Sequence, residues 1–156
     1  MKRISLNWAT FLMSVAFVTI SLLFPSCKKG DKINEDLAIA PKNMTGKTLK
    51  VDGVKINFSS NTSATIVDYI GTAKRSSVSY NRTSEVEADL SFSYLSEDSY
   101  TTSERSYRLT LSFADKTGGV ANGSYDYSLT IAKGSKYQTH TSGTSSVKNG
   151  IFTITE

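Results

Sequence analysis

The chain of 156 residues carries 18 lysines and arginines against 14 aspartates and glutamates, with one cysteine and one histidine. The small positive excess is diffuse and forms no basic stripe, so we predict no nucleic-acid partner. A single cysteine excludes an intrachain disulfide. The single histidine, His140, stands among threonines and serines with no second metal ligand beside it. We therefore predict no metal, no other cofactor and a protein that is not an enzyme.

Residues 1–26 have the features of a secretory signal peptide. The chain begins Met1-Lys2-Arg3, continues with a mostly apolar run from Trp8 to Phe24, and places the small residue Ser26 after Pro25. The alternative is a retained transmembrane helix, because about 20 apolar residues are enough to span a bilayer. Polar residues dilute the run and Pro25 closes it, which favours cleavage. Removal of residues 1–26 leaves 16 basic and 14 acidic residues.

The stretch from Leu22 to Cys27, Leu-Leu-Phe-Pro-Ser-Cys, resembles the lipobox of bacterial lipoproteins that signal peptidase II processes. The resemblance implies cleavage before Cys27 and acylation of its sulfur with palmitate-type chains. Two or more acyl chains anchor a protein stably to a bilayer. Lys28 follows the cysteine, where an aspartate commonly retains lipoproteins in the inner membrane. The resemblance therefore implies an outer-membrane protein, anchored on the periplasmic or the cell-surface side.

Residues 27–42 are predicted to be the lipidated tether. Within it, Asn34 is a suitable helix cap, acidic residues follow in the first turn, and Pro41 ends the segment, so a short helix is predicted. Residues 43–156 are then one domain, a normal length for a single core.

A β-hairpin is predicted where this domain begins. Thr48–Val51 and Val54–Phe58 flank Asp52-Gly53, a pair that suits a type I′ turn. A two-residue loop places Val51 opposite Val54 and Leu49 opposite Ile56, with all four on one face. The alternative is one long strand with a bulge at Gly53.

Strict apolar–polar alternation then extends over three long segments. This two-residue period is typical of antiparallel strands with one face toward water, and a helix would scatter the same residues around its circumference. The apolar positions are Val86, Ala88, Leu90, Phe92 and Tyr94 in the first segment, Tyr107, Leu109, Leu111 and Phe113 in the second, and Tyr125, Tyr127, Leu129 and Ile131 in the third.

The remaining segments complete eight or nine strands with short connections and no crossover helices. A weaker strand is predicted over residues 137–147, bent at Gly143, and Asn149-Gly150 is interpreted as a second hairpin turn before the final strand. Consecutive strands pair as neighbours in an up-and-down meander. Closure into a small barrel removes the two exposed edges, so we predict an all-β antiparallel barrel. An apolar-out barrel that spans a membrane is the alternative for the same alternation.

Residues 43–156 resemble the lipocalin-like, or calycin, group. The resemblance rests on a short helix before Thr45-Gly46-Lys47-Thr48, the up-and-down meander, and a glycine-containing turn before a final strand with Phe152. It implies a lipocalin-like barrel that takes a small ligand.

Tyrosines on the apolar faces are the candidate ligand-binding residues. A tyrosine offers a large apolar ring together with a hydroxyl that requires a partner. The candidates are Tyr80, Tyr94, Tyr107, Tyr125 and Tyr127. Asp68 is a further candidate, because it is inward if Ala64 and Ile66 are inward; in the alternative register Thr65, Val67 and Tyr69 point inward instead. The row of Glu85, Glu87 and Asp89 is interpreted as a solvated face rather than a calcium site.

The sequence thus predicts a lipid-anchored envelope protein that binds a small apolar or amphipathic ligand in its barrel. The alternative is a structural or interaction lipoprotein, whose barrel is filled and whose surface binds a protein or glycan partner. The expected partners are the membrane, through the lipid on Cys27, and a small hydrophobic ligand. No pattern in the sequence indicates an oligomeric state.

Overall fold

The structure is a computed structural model, and it describes residues 33–133 and 137–156. The predictions for residues 1–32, including the signal segment and the acylated Cys27, lie outside the described residues. Over the described ranges the chain is all-β, and no helix there has the length and apolar character to cross a membrane.

Eight strands make up the fold. They are β1 (Thr48–Val51), β2 (Val54–Ser60), β3 (Ser63–Val67), β4 (Arg75–Arg82), β5 (Glu87–Glu97), β6 (Thr101–Asp115), β7 (Gly118–Lys133) and β8 (Tyr137–Thr155).

All eight strands lie in one antiparallel sheet that curls into a nearly closed barrel. The strand order is β3-β2-β1-β8-β7-β6-β5-β4, so β1 pairs with β8 and joins the two ends of the meander. The junction of β3 with β4 has no continuous ladder; there, the amide of Tyr80 donates to the carbonyl of Asn61, and the Ser76 hydroxyl donates to the carbonyl of Ala64. The prediction of an all-β antiparallel barrel of eight or nine strands is confirmed with eight strands in the described residues, and the barrel is nearly closed.

The predicted hairpin of β1 and β2 is confirmed in its register. Val51 lies opposite Val54, and Leu49 lies opposite Ile56. Asp52 and Gly53 both have positive φ angles, 49° and 76°, as a type I′ turn requires. All four apolar residues are buried, so the turn fixes which face of the hairpin points inward.

Asn149-Gly150 is not a hairpin turn, and that prediction is wrong. The pair lies inside β8, a continuous strand of 19 residues. Ala121 of β7 is paired with Gly150 while Gly123 is paired with Val147, so β8 contains one extra residue at this point. Asn149 takes a φ of 52° there. The positive φ that suits Asn-Gly to a turn serves a β-bulge equally well.

The helix predicted after Asn34 is also absent. Residues 35–37 form a single turn, closed by the amide of Leu37 on the carbonyl of Asn34. The side chain of Asn34 does cap this turn, since its Oδ1 accepts from the amide of Asp36. The chain then runs along the barrel and its amides pair with Glu85 instead, so the turn does not continue.

The alternating apolar residues of β5 and β6 point into the barrel, from Ala88 to Tyr94 and from Tyr107 to Phe113, whereas Val86 precedes β5 and is exposed. The inward rows of β5 and β6 form one buried core with those of β1, β2 and β8. The opposite faces of these strands carry exposed residues such as Glu87, Asp89 and Arg108. Burial of apolar surface is the main favourable term in folding, so these rows determine the closed shape.

Residues 33–47 cover one end of the barrel, which we call the base. Ala40 and Met44 are buried there. The amides of Ile39 and Ala40 both donate to the carbonyl of Glu85. The Tyr80 hydroxyl donates to the carbonyl of Pro41 over 2.7 Å. These contacts attach the leading segment to β4 and to the β4–β5 turn.

We predict that the Tyr80 hydroxyl stabilises this attachment. Tyr80→Phe removes its hydrogen bond to Pro41 and lowers the free energy of unfolding by about 1 kcal/mol. Tyr100→Phe is the matched control, because Tyr100 is exposed and its loss of a hydroxyl leaves stability unchanged. Urea unfolding of both variants measures the difference. Equal stability of the two variants would contradict the role given to Tyr80.

Candidate functional site

The end of the barrel opposite the base, which we call the mouth, carries the polar groups of the interior. The β1–β2 turn at Asp52-Gly53, the β5–β6 turn and the β3–β4 loop, residues 68–74, meet at this end. Strand β8 pairs with β1 only over residues 152–155 and continues alongside β7 beyond it. Strands β5 to β8 therefore extend past the β1–β2 turn, and their inward face forms the wall of the mouth.

Three successive layers of side chains cross this wall. Cross-strand partners on a sheet share a face, so each layer is read from the register. The innermost layer is Phe92, Tyr107 and Tyr125; the next is Tyr94, Arg105 and Tyr127; the outermost is Ser96, Ser103 and Leu129. The wall thus changes from aromatic to charged to hydroxyl-bearing as it leaves the core.

The innermost layer is a stack of aromatic rings. The ring of Tyr107 lies 4.5 Å from that of Phe92 and 4.7 Å from that of Tyr125, and all three are close to parallel. Tyr107 and Phe92 are buried, and Tyr125 is partly exposed. This stack fills the barrel and gives the mouth a rigid aromatic floor.

The hydroxyl of Tyr107 links the floor to two charged residues. It donates to Oδ2 of Asp52 over 3.0 Å, and it accepts from Nη1 of Arg105 over 3.3 Å. Burial raises the pKa of Tyr107 to about 12, although the hydrogen bond from Arg105 opposes this rise. Tyr107 is therefore neutral at physiological pH and is held in one orientation.

Arg105 occupies the centre of the mouth. Its guanidinium carbon lies 5.5 Å from the ring centre of Tyr69 and 5.8 Å from that of Tyr125, within the range of cation–π attraction. Burial by itself lowers the pKa of Arg105. The hydrogen bond with Tyr107 and the neighbouring phenols outweigh this effect and raise the pKa above its ordinary value, so the side chain is charged. Its Nε is buried and has no hydrogen-bond partner.

Asp68 lies on the β3–β4 loop, at the same end of the barrel as Arg105. Ile66 is buried and Thr65 is exposed, so the structure places the face of Ala64, Ile66 and Asp68 inward. Asp68 Oδ1 accepts from the amides of Ile70 and Gly71 and shapes the loop. Its Oδ2 is buried and has no partner.

Two buried hydroxyls complete the group. Tyr94 is 2% exposed and Ser96 is fully buried, and neither hydroxyl has a partner. Burial raises the pKa of Tyr94, and the neighbouring phenol of Tyr107 adds to this rise. The charge of Arg105 lowers that pKa and the charge of Asp68 raises it, so each of the two side chains lies near Tyr94.

We call these residues the mouth cluster: Asp68, Tyr69, Tyr94, Ser96, Arg105 and Tyr107. Its four buried atoms without partners are an acceptor on Asp68, a donor on Arg105 and two hydroxyls. Buried polar groups in proteins are nearly always hydrogen-bonded, and leaving one unpaired costs about 1–3 kcal/mol. Four such atoms at one end of the barrel make the mouth cluster the candidate binding site, since a molecule held there would satisfy them.

The sequence-based candidates divide between the two ends of the barrel. Tyr94, Tyr107 and Asp68 belong to the mouth cluster, and Tyr125 and Tyr127 line the wall beside it. Tyr80 lies at the base, where it packs edge-on against Phe58, and it takes no part in the mouth. Cys27 lies outside the described residues.

Sequence reasoning missed Arg105, Tyr69 and Ser96. A signal for Arg105 was present, because the inward row of Leu111, Leu109 and Tyr107 continues by one more step of two residues to Arg105. A charged residue at the next inward position of an apolar row is a candidate ligand-binding residue, because its side chain points into the barrel. Ser96 extends the row of β5 in the same way, beyond Tyr94.

The other polar candidates lie away from the mouth. Glu87 and Asp89 are exposed on the outer face of β5, where they accept from hydroxyls of β6. Glu85 instead accepts from the amide of Asn34 over 2.6 Å, and this hydrogen bond lowers the pKa of Glu85. Among the described residues no group of three carboxylate, histidine or cysteine side chains is placed to hold a metal ion.

A crevice of about 670 Å³ lies at the base, between residues 35–42 and the strand ends. Its charged side chains largely pair with one another: Glu35 with Arg82 and Lys42, and Glu156 with Lys47. The hydrogen bond from Arg82 lowers the pKa of Glu35. The unpaired buried atoms are at the mouth instead, so the mouth cluster is the stronger candidate.

Comparison of the chain with protein-family models, with curated proteins and with solved structures finds no match. The site is therefore interpreted from its own geometry and chemistry.

We predict that the mouth cluster reduces the stability of the barrel. Tyr94→Phe removes a buried hydroxyl that has no partner, so the free energy of unfolding stays the same or rises by up to about 1 kcal/mol. Tyr107→Phe removes two hydrogen bonds to charged groups and lowers it by about 2 kcal/mol. Chemical denaturation of the two variants compares them directly. A loss of stability in Tyr94→Phe similar to that in Tyr107→Phe would show that the Tyr94 hydroxyl is already satisfied.

Proposed function

We propose that this protein is a non-enzymatic, lipid-anchored protein of the bacterial outer membrane, and that it binds a small amphipathic ligand at the mouth of its barrel. The observation that carries the proposal is the mouth cluster, with four buried polar atoms that lack partners beside aromatic rings. Ligand sites combine such apolar surface with a few convergent polar groups.

The mouth is a better ligand site than the centre of the barrel. Toward the base, the interior is occupied by side chains that form one continuous core. Leu111 and Leu49 are fully buried within it, next to the aromatic stack. A ligand bound at the mouth rests on this stack and does not require the core to open.

The β3–β4 loop provides the way in. It carries Asp68 and Tyr69, and it lies at the one junction of the barrel where neighbouring strands lack a continuous ladder. Displacement of this loop breaks few backbone hydrogen bonds, such as that from the amide of Lys74 to the carbonyl of Leu95. The same displacement exposes Tyr94, Ser96 and Arg105, so the loop acts as a lid over the cluster.

The chemistry of the cluster is that of recognition rather than catalysis. It combines a carboxylate, a guanidinium and hydroxyls, and neutral Tyr94 and Tyr107 are poor nucleophiles because burial raises their pKa. The only histidine of the chain, His140, is exposed on the face of β8 opposite to Thr141. No imidazole is therefore available to a molecule bound at the mouth.

The architecture supports a lipocalin-like assignment. Eight antiparallel strands in up-and-down order form the barrel, the leading segment covers one end, and the candidate site is at the other. A barrel of eight strands is wide enough for side chains or for one small ligand.

A second candidate function is that of a structural or interaction lipoprotein. The filled interior of the barrel favours it, because a solid core leaves only surfaces for partners. Such a protein has no use for unpaired polar atoms at the mouth, and a ligand screen separates the two functions.

We predict that an amphipathic small molecule stabilises the protein through the mouth cluster. At a hundredfold excess over its Kd such a ligand adds about 2.7 kcal/mol, which raises Tm by roughly 10 °C. A thermal-shift screen of fatty acids, flat aromatic amphiphiles and neutral oligosaccharides on the purified protein tests this.

Arg105→Lys removes about half of the shift or more, because a tenfold loss of affinity halves the stabilisation at this ligand excess. Arg108→Lys is the matched control on the outer face of the same strand. A shift that both variants retain would place the ligand elsewhere. No shift with any of the three classes would favour the interaction protein.

We predict that Cys27 anchors the protein. The wild-type protein incorporates labelled palmitate and sediments with outer membranes, and Cys27→Ser does neither. Mass spectrometry of the mature protein provides the independent check, because it finds an acylated cysteine at the new N-terminus. An unmodified chain, or one that retains residues 1–26, would overturn the lipoprotein assignment without affecting the mouth cluster.

A further inference from the structure

We propose that the ligand of the mouth cluster is a neutral saccharide, an inference that rests on the binding function proposed above. It follows from the hydrogen-bonding capacities of the unpaired atoms, from the charge around them and from the surface that leads away from them.

The unpaired atoms require a partner that both donates and accepts. Asp68 Oδ2 only accepts, and Arg105 Nε only donates. The hydroxyls of Tyr94 and Ser96 do either. A hydroxyl group is the simplest partner for this set, because one hydroxyl donates to the carboxylate while it accepts from the guanidinium. Several hydroxyls on one ring offer both donors and acceptors to such a set.

The charge of the mouth excludes ligands with a strong net charge. Within the cluster one carboxylate, that of Asp68, accompanies one guanidinium, that of Arg105, and Asp52 accepts from Tyr107 beside them, so the cluster offers no excess positive charge to a carboxylate or phosphate. A cationic ligand is also disfavoured, since the guanidinium of Arg105 already lies against the faces of Tyr69 and Tyr125. Like charges this close repel each other. A neutral ligand remains.

The inward face of β7 and β8 continues outward from the cluster as a strip of rings and hydroxyls. Tyr125 lies opposite Ser145, Tyr127 opposite Gly143, and Leu129 opposite Thr141. All six residues are partly or fully exposed. A ligand with one ring contacts only the cluster, whereas a chain of sugar rings also covers this strip.

Gly143 lets the ring of Tyr127 lie across the strip. A Cβ at this position would be 3.0 Å from the Tyr127 hydroxyl and 3.2 Å from its Cζ. Any side chain there displaces the ring. The apolar face of a sugar packs on such a partly exposed aromatic surface, and its hydroxyls reach the serine and the threonine beside it. The amphipathic ligand is therefore a short oligosaccharide whose terminal ring enters the cluster.

Isothermal titration of the purified protein tests the class of ligand. The probes are neutral gluco-, manno- and xylo-oligosaccharides; the comparison arms are oligogalacturonides (anionic), chitosan oligomers (cationic), dodecanoate (apolar) and adenosine (a neutral base with donors and acceptors). We expect at least one neutral oligosaccharide to bind, and to bind more tightly than any comparison arm.

Asp68→Asn and Arg105→Lys each weaken that binding by roughly tenfold or more, the change expected for loss of a hydrogen bond to a charged group. Asparagine keeps Oδ1 for the loop amides of Ile70 and Gly71, so the fold is preserved. Arg108→Lys and Asp126→Asn are the controls, because these residues form an exposed ion pair on the outer face. Both controls keep the wild-type affinity.

Gly143→Ala provides a second and independent test. Displacement of the Tyr127 ring weakens the binding of long oligosaccharides more than that of a disaccharide, which occupies the cluster alone. Because Gly143 is exposed, the variant folds normally. Equal effects on long and short ligands would show that the strip takes no part.

The outcomes separate this inference from the function on which it rests. Tighter binding of dodecanoate, adenosine or a charged oligomer, lost in Arg105→Lys, overturns the saccharide and leaves a ligand site at the mouth. If a saccharide binds and its affinity is unchanged in Asp68→Asn and Arg105→Lys, the mouth cluster is not the binding site. Absence of binding by every probe overturns both the ligand class and the proposed function.

Discussion

The closure of the sheet by β1 and β8 is the constraint on which the rest of the molecule depends. Four residues of β1 pair with β8, and this short ladder turns a meander with two exposed edges into a barrel with a single incomplete junction. Closure gives each strand one face toward the interior and one toward solvent. Because successive side chains point to opposite faces, every second residue is then buried in the core. The incomplete junction between β3 and β4 then decides where the barrel can open, because no continuous ladder resists it there.

The mouth is where the rule of an apolar interior ends. The inward row of β6 runs from leucines through Tyr107 to Arg105, and the row of β5 runs through Tyr94 to Ser96. Tyr94, Ser96 and Tyr107 are buried and Arg105 is partly buried, although their side chains are polar. A barrel selected only for stability would place apolar residues there, so the unpaired atoms are a cost to stability that the proposed ligand would remove.

Much of the fold follows from the sequence, and the reasons are local. Asp52-Gly53 sets the register of the first hairpin, and sustained alternation identifies β5, β6 and β7. The prediction of a hairpin turn at Asn149-Gly150 was wrong because residues with positive φ occur both in turns and in β-bulges. Only the pairing of β8 with β7 shows that this pair belongs to a bulge. The mouth cluster was found only in part. Asp68 and Arg105 both lie near Tyr94 although they come from different strands and loops, and no spacing in the sequence encodes that arrangement.

The pairing of β1 with β8 also has a consequence for the order of folding. Lys47 and Glu156 form an ion pair across 109 positions of sequence, beside a ladder of four residues on each strand. Contacts between residues so far apart in the sequence form late, because closing a long loop costs conformational entropy before the contacts contribute any stability. Until then β5, β6 and β7 form an open curved sheet with its leucines and tyrosines in water. The nascent protein is therefore most prone to aggregate just before the barrel closes, and a chaperone that shields a concave apolar sheet is of most use at that moment.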